Sequence, residues 1–310
     1  MSLLTIGTVA FDTIETPNGK AERIVGGSCT YISMSAAYFI KDIKLCAVIG
    51  DDFPQSELNY LKSRGVDLEG LQIKKGEKSF FWHGRYHKDM NGRDTLETQL
   101  NVLADFNPIL PDSYKNTPFL MLGNLQPDVQ MSVINQMTTK PKFIALDTMN
   151  FWMDIALKSL LKVLKKVNLL IINDEEARQL SGEHSIRKAA TKILMMGPKF
   201  LVIKKGEHGA MLFHKAEVFY VPALPLEEVF DPTGAGDTFA GGFMGYIAST
   251  GKPTFENMKR GIIYGSAMAS FCVGKFGIEG LKNLSPEQIN LRVAAFTKMV
   301  KVKMDSNLTN

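Results

Sequence analysis

Asp231-Pro-Thr-Gly-Ala-Gly-Asp237, running straight into Thr238-Phe-Ala-Gly-Gly-Phe243, sets two carboxylates on either side of a Gly-Ala-Gly turn. The turn opens an apolar, small-residue helix. A glycine-rich turn at a helix start directs several unpaired backbone N–H groups at one spot, where the helix dipole also favours negative charge. Asp237 stands at that spot as a candidate base. An anion cradle beside a base is what phosphoryl transfer to a hydroxyl requires. A plainer reading makes Asp237 an N-cap and the glycines an ordinary turn. Two nucleotide-binding motifs are excluded. The Rossmann fingerprint needs a third glycine where Phe239 stands, and no Gly-Lys-Ser/Thr of a Walker A loop occurs anywhere.

Outward from this stretch, short apolar strand candidates alternate with helical patterns. The strands fall at Leu4–Val9, Lys44–Ile49, Phe119–Leu122, Phe143–Leu146, Leu169–Ile172 and Phe200–Ile203. Helix patterns lie near Ser33–Ile40, Pro54–Arg64, Asp128–Met137, Asp154–Lys166 and Ile186–Met196. This βαβ rhythm predicts an α/β fold: a doubly wound, mainly parallel sheet flanked by helices. Ser285-Pro286-Glu-Gln288 is the start signal of a final helix. The chain to residue 303 reads as one domain, and residues 304–310 as a disordered tail.

One segment breaks the rhythm. Ser79–His87 alternates so that Phe81, His83, Arg85 and His87 share one face, while Phe80, Trp82 and Tyr86 share the other. A turn at Asn91-Gly92 leads to a second extended stretch, Leu96–Leu103. The aromatic face of such a hairpin must find a partner in substrate, in the body of the chain, or in another subunit's lid. His83 and His87 lack a third ligand at suitable spacing, so a wet lid face is the better reading than a metal site.

Composition narrows the class. The chain has 310 residues, 45% hydrophobic and 22% charged, as expected of a soluble globular protein. No apolar run approaches the roughly 18 residues of a membrane helix. No basic n-region or cleavage site marks the start, so no signal peptide is expected. Cys29, Cys46 and Cys272 are odd in number and lie among apolar residues, which suits reduced thiols in the cytoplasm. A net charge of +4 suits anionic substrates and gives no sign of nucleic-acid binding.

The heptad ending at Asp237 and the helix behind it closely resemble the C-terminal signature of ribokinase-like (PfkB) carbohydrate kinases, and a looser likeness runs from Gly7 to about Leu281. The resemblance implies Mg-ATP as phosphoryl donor and a sugar or related small molecule as acceptor. It implies Asp237 as base, with the N–H groups of Gly234, Ala235 and Gly236 as the anion hole. It also implies a small β-sheet lid, formed by about 12–25 and 73–104, over the sugar.

Further matches follow residue by residue. Asp12, which position alone would make a turn residue, corresponds to the Asp that holds substrate hydroxyls. Gly26-Gly27 resembles the family's first glycine signature, where backbone approaches the sugar. Tyr31 stands where the family commonly carries Asn, which argues against ribose or fructose. Asn173-Asp-Glu-Glu176 matches an Asn-x-x-Glu element for Mg²⁺ and phosphate, with Glu176 acting through water; an acid-rich helix start explains it as well. Lys204, Gly206 and Gly209 resemble the nucleotide-side loop, although a hairpin turn accounts for the glycines equally. Thr233 and Ser266 fall on the nucleotide side. Carbonyls near Asp231, Thr233 and Gly277 occupy the positions of a monovalent-cation (K⁺) site.

Relatives often carry Asp-x-Asn-x-Arg where this chain has Asp147-Thr-Met-Asn150-Phe151. Phe151 cannot clamp a phosphate as Arg would, which leaves Arg85 on the lid as a replacement. Nucleoside kinases of the adenosine-kinase type share these elements. A non-catalytic sugar- or nucleotide-binding protein on the same scaffold is the third reading.

Overall fold

The computed structural model describes residues 1–301; the expected disordered tail at 304–310 lies outside them. The chain opens with β1 (Leu3–Ile6), β2 (Ala10–Thr16), β3 (Gly19–Gly26), α1 (Ser28–Ala36), β4 (Ile43–Gly50), α2 (Gln55–Ser63), β5 (Val66–Asp67) and β6 (Leu71–Lys74). A hairpin of β7 (Phe80–Tyr86) and β8 (Arg93–Gln99) follows. Next come β9 (Phe119–Leu122), α3 (Pro127–Gln136), β10 (Phe143–Asp147), α4 (Asn150–Ile155), α5 (Leu157–Leu164), β11 (Leu169–Asn173), α6 (Asp174–Ser181) and α7 (Ile186–Leu194). The last part holds β12 (Phe200–Lys204), β13 (Ala210–His214), β14 (Glu217–Val221), α8 (Ala235–Thr250), α9 (Phe255–Cys272) and α10 (Pro286–Met299).

The main sheet runs β14-β13-β12-β11-β10-β9-β1-β4-β5, with β6 continuing beside β4. All its pairings are parallel except those of β13 with β12 and β14. Both faces are covered, which is why the inner strands are almost unbroken apolar runs. Alternation divides the core in two. Phe119, Met121, Phe143, Ala145, Leu169 and Ile171 pack with residues of α1, α8 and α9. Leu120, Leu122, Ile144, Leu146, Leu170 and Ile172 pack with residues of α5, α6 and α7. Truncating one of these, such as Leu120→Ala, costs about 2–5 kcal/mol.

The expected helix at Ser33–Ile40 instead begins at Ser28 and ends at Ala36. Every residue of α1 is buried, so it shows no polar face for a periodicity reading to find. Two of its hydroxyls are satisfied inside the fold: Ser35 Oγ donates to the Thr238 carbonyl at 2.7 Å, and Thr5 and Ser33 hydroxyls meet at 3.1 Å. The pattern over Asp154–Lys166 also resolves differently. Ala156, at φ −136°, divides α4 from α5. α4 is held at its own angle because Trp152 Nε1 donates to Asn124 Oδ1 at 2.9 Å and Gln179 Nε2 to Asp154 at 2.7 Å.

A separate sheet, ordered β3-β2-β7-β8, stands off the main one. β2 and β7 are parallel, the outer pairs antiparallel. Its second hairpin strand is Arg93–Gln99 rather than Leu96–Leu103, because Asn101–Leu103 turns into a short 3₁₀ helix.

Candidate active site

The Gly-Ala-Gly turn lies between this small sheet and the carboxyl ends of β10, β11 and β12, the edge where α/β sheets place ligands. Gly234 caps α8 at φ 73° and ψ 0°, a left-handed conformation that glycine adopts without strain. A Cβ at Gly234 would also collide with the Tyr31 ring. Ala235 N–H closes the turn by donating to the Pro232 carbonyl at 3.2 Å. Among the described residues no acceptor meets the N–H groups of Gly234, Gly236 or Asp237. The open donors are therefore those three, and Ala235 serves the turn instead of the expected anion hole.

Asp231 is fully buried. Its Oδ1 accepts from Thr233 N–H at 2.8 Å and its Oδ2 from Gly277 N–H at 2.9 Å. Asp231 thus ties the anion turn to the Gly277 loop, and both carboxylate oxygens are engaged in doing so.

Asp237 is half-buried, and its Oδ1 is covered without a hydrogen-bond partner. Burial, with repulsion from Asp147, pushes its carboxyl up to about 7. Lys204 and Arg93 pull the other way. Glu176, similarly covered, is pushed up to about 7 by burial. Lys204 stands among these groups, its Nζ 3.7 Å from Asp147 Oδ1 and 2.7 Å from where a Cβ on Gly236 would lie. Burial favours the neutral amine, but Asp147, Glu176 and Asp237 outweigh it and hold the ammonium above its ordinary range. A general base near 7 is matched to neutral pH, and the ammonium supplies positive charge at the anion turn.

Asn173 and Glu176 form a capping box at the start of α6. Asn173 Oδ1 accepts from Glu176 N–H at 2.8 Å, while Glu176 Oε2 accepts from Asn173 N–H at 2.7 Å. The acid-rich helix start expected as the plainer reading is real. The box nevertheless fixes the Glu176 carboxylate with Oε1 left over. Mg²⁺ commonly takes one or two carboxylates and keeps its waters, so this residue set fits it. No cluster of three or more His, Cys, Asp or Glu placed to hold a metal occurs among the described residues.

On the other side, Asp12 is 5% exposed. Burial, then repulsion from Asp231 and Asp237, raises its carboxyl to about 8, with the Gly27 N–H opposing. A Cβ on Gly26 would strike the Asp12 carboxylate, and Gly27 sits at φ 92°, so both glycines serve the approach of backbone to this side chain.

The register of the small sheet decides which of its cations faces the site. β2 pairs with β7 so that Asp12 lies beside Trp82 and Glu15 beside Arg85. Arg85 therefore projects from the opposite face to Asp12, and its Nε donates to Glu15 Oε2 at 2.7 Å. His83 joins the same carboxylate at 3.1 Å. The expectation that Arg85 replaces a phosphate clamp is not met by this geometry, because register turns it away. Tyr86 faces inward, accepting from the Thr233 hydroxyl at 3.1 Å. Its partner across the hairpin is Arg93. The Arg93 guanidinium stacks over Trp82 at 5.8 Å, and no ion pair is formed by it among the described residues. Sequence reading missed Arg93; the lone signal was its place directly after the Asn91-Gly92 turn.

Gly206 and Gly209 adopt φ 53° and 97° in the turn between β12 and β13, where Lys205 N–H donates to the Gly209 carbonyl at 2.7 Å. The hairpin reading thus explains both glycines. Asn91 Oδ1 reaches within 3.2 Å of where a Gly206 Cβ would be, so the tip of the β7–β8 hairpin meets this loop. Ser266 is half-buried on α9, with no side-chain hydrogen bond among the described residues.

Residues 3–282 match the model of the pfkB family of carbohydrate kinases. The chain belongs to that family. It is similar to the cytidine kinase of Thermococcus kodakarensis, with 30% identity over 269 residues, covering 84% of this chain and 94% of that protein. An Escherichia coli structure described as a ribokinase II, in complex with ATP and Mg²⁺, aligns with TM-score 0.79 at 18% identity, covering 94% of this chain and 99% of the other. The Methanocaldococcus jannaschii nucleoside kinase aligns with TM-score 0.74 at 19% identity, covering 94% and 98%. As a PfkB kinase the protein is a phosphotransferase with a hydroxyl acceptor, on a ribokinase-like fold with its separate small sheet.

Proposed function

We propose that this PfkB kinase transfers the γ-phosphoryl of ATP to a hydroxyl of a nucleoside. The observation that carries the reading is the unpartnered Asp237 Oδ1 beside the open N–H groups of Gly234 and Gly236. The acceptor O–H gives its proton to Asp237, the oxygen bonds to the γ-phosphorus, and the bond to the bridging oxygen of ADP breaks. The open N–H groups and Lys204 hold the charge that develops on the phosphoryl oxygens. Glu176 would hold Mg²⁺ through water, and the ion would supply positive charge to the phosphates. Lys204, Gly206, Gly209, Thr233 and Ser266 line the nucleotide side. Carbonyls near Thr233 and Gly277 are the candidates for K⁺; equal rates in potassium and in a bulky organic cation would remove that part.

Three features favour a nucleoside over a phosphorylated sugar. Phe151 occupies the place of a phosphate-clamping Arg, and Arg85 is turned away on Glu15. Trp82 and Tyr86 present aromatic surface on the inner face of the lid, suited to a planar base. The similar Thermococcus protein is a cytidine kinase. The test is an ATP-consumption screen over nucleosides, free sugars and sugar phosphates. Turnover highest with a nucleoside supports the reading; preference for a sugar or sugar phosphate overturns the acceptor, and binding without turnover overturns the kinase.

A further inference from the structure

α3 buries one stripe, Pro127, Gln130 and Val133, and the middle residue of that stripe is polar. Gln130 is fully buried, at a position where an amphipathic helix ordinarily places an apolar side chain. Its Nε2 donates to the Gly123 carbonyl at 2.8 Å and to the Asp147 carbonyl at 3.1 Å. Only nitrogen can sit between two carbonyl oxygens, so the amide has one orientation, and that orientation leaves Oε1 without a partner. The two carbonyls belong to neighbouring strands at the point where their ladder stops. β9 and β10 pair in register from Phe119 and Phe143 to Leu122 and Leu146 and no further, while Asp147 still pairs with Ile171 of β11. The Gln130 amide, with its two N–H groups, supplies the missing rung from outside the sheet.

We propose that Gln130 is a positioning residue for phosphoryl transfer: by closing the open end of the β9–β10 ladder it holds Asp147 where its carboxylate meets Lys204. The inference goes beyond the nucleoside reading and rests on one part of it, that Lys204 serves the anion turn. Among the described residues Asp147 is the one carboxylate within salt-bridge distance of the Lys204 ammonium, at 3.7 Å. The ammonium in turn lies against Gly236. Without the Gln130 amide, the end of β10 is held from the β11 side alone and two buried carbonyls lose their donor. A strand end that drifts carries the Asp147 carboxylate with it, and Lys204 follows its counter-ion away from the turn. Gln130 itself, fully buried, has no surface to offer a substrate. It acts through Asp147 and then Lys204.

Gln130→Met keeps the volume and removes both donors, while Gln130→Glu keeps one donor as long as its carboxyl stays neutral. The expected signature is a loss of kcat of about 10–100-fold in Gln130→Met, the cost of a small misplacement near the chemistry, and a smaller loss in Gln130→Glu. The acceptor KM should change less than about twofold, since no acceptor contact is removed. Coupling to Asp147 is the readout that a merely structural role would not move. In an Asp147→Ala background, Gln130→Met should lower kcat by less than about a further twofold, because the carboxylate it positions is already gone. The full loss repeated in that background overturns the proposal, as does an unchanged kcat in Gln130→Met or in Asp147→Ala alone. If Gln130→Met fails to fold, the same cycle run with Gln130→Glu decides. If the wild type phosphorylates no acceptor, the kinase reading itself has failed, and a crystal structure of the Gln130 variant decides instead: the Asp147–Lys204 pair parted supports the positioning role, and the pair intact at 3.7 Å overturns it.

Discussion

The ammonium of Lys204 lies 3.7 Å from the carboxylate of Asp147, at the back of the turn that ends in Asp237. Three carboxylates, Asp147, Glu176 and Asp237, share this one cation. Lys204→Met should therefore raise the pKa of Asp237, whose charged form Lys204 favours. A base with a higher pKa is protonated over a wider range. The acidic limb of the kcat–pH profile should move to higher pH, and kcat at pH 7 should fall about tenfold or more. An unmoved limb would dissociate Lys204 from the base.

Asp237→Asn should lower kcat by about 10²–10⁴, the usual worth of a general base, with ATP binding retained. Turnover within a few-fold of wild type would remove Asp237 from that role. The same substitution has a stability signature. Asp12 at about 8 and Asp237 and Glu176 at about 7 are all raised above their unfolded values. The folded state then holds more protons than the unfolded chain, so stability is fully present below about pH 4 and is lost as pH rises through about 7 to 8. Tm measured against pH should fall over that window in the wild type and fall less in Asp12→Asn or Asp237→Asn.

Glu176→Gln keeps an oxygen to accept from Asn173 N–H, so the capping box and the fold should survive. The lost charge should raise the magnesium concentration for half-maximal rate by several-fold. A titration that overlays the wild type would make this element a helix start and nothing more.

Arg93→Ala should lower kcat/KM about tenfold or more, because an arginine stacked on Trp82 beside the inward-facing Tyr86 is placed to meet a phosphoryl group. Arg85→Ala should change it less than about twofold, the expectation for a rim charge engaged with Glu15. The reverse ranking would show that the lid turns its other face to the substrate.

Much of the site was legible in the chain because it is local. The anion turn, the Asn173-x-x-Glu176 helix start and Lys204 at a strand end are each written within a few residues, and short-range hydrogen bonds and φ preferences decide them. The alternation of β7 was legible too: Arg85 and Trp82 fall on opposite faces by the pleat alone. Which face looks inward was not, since that depends on β2 and β7 pairing with Asp12 beside Trp82. Cross-sheet register joins residues some seventy positions apart, and a single chain carries no local trace of it. The same limit hid Arg93, whose role follows from the strand across the hairpin. It also hid the extent of α1, because a helix buried on every side loses the polar face that marks its ends. Short-range chemistry thus wrote the anion turn and the alternating core into the sequence, while packing between distant segments set which side chains converge on it.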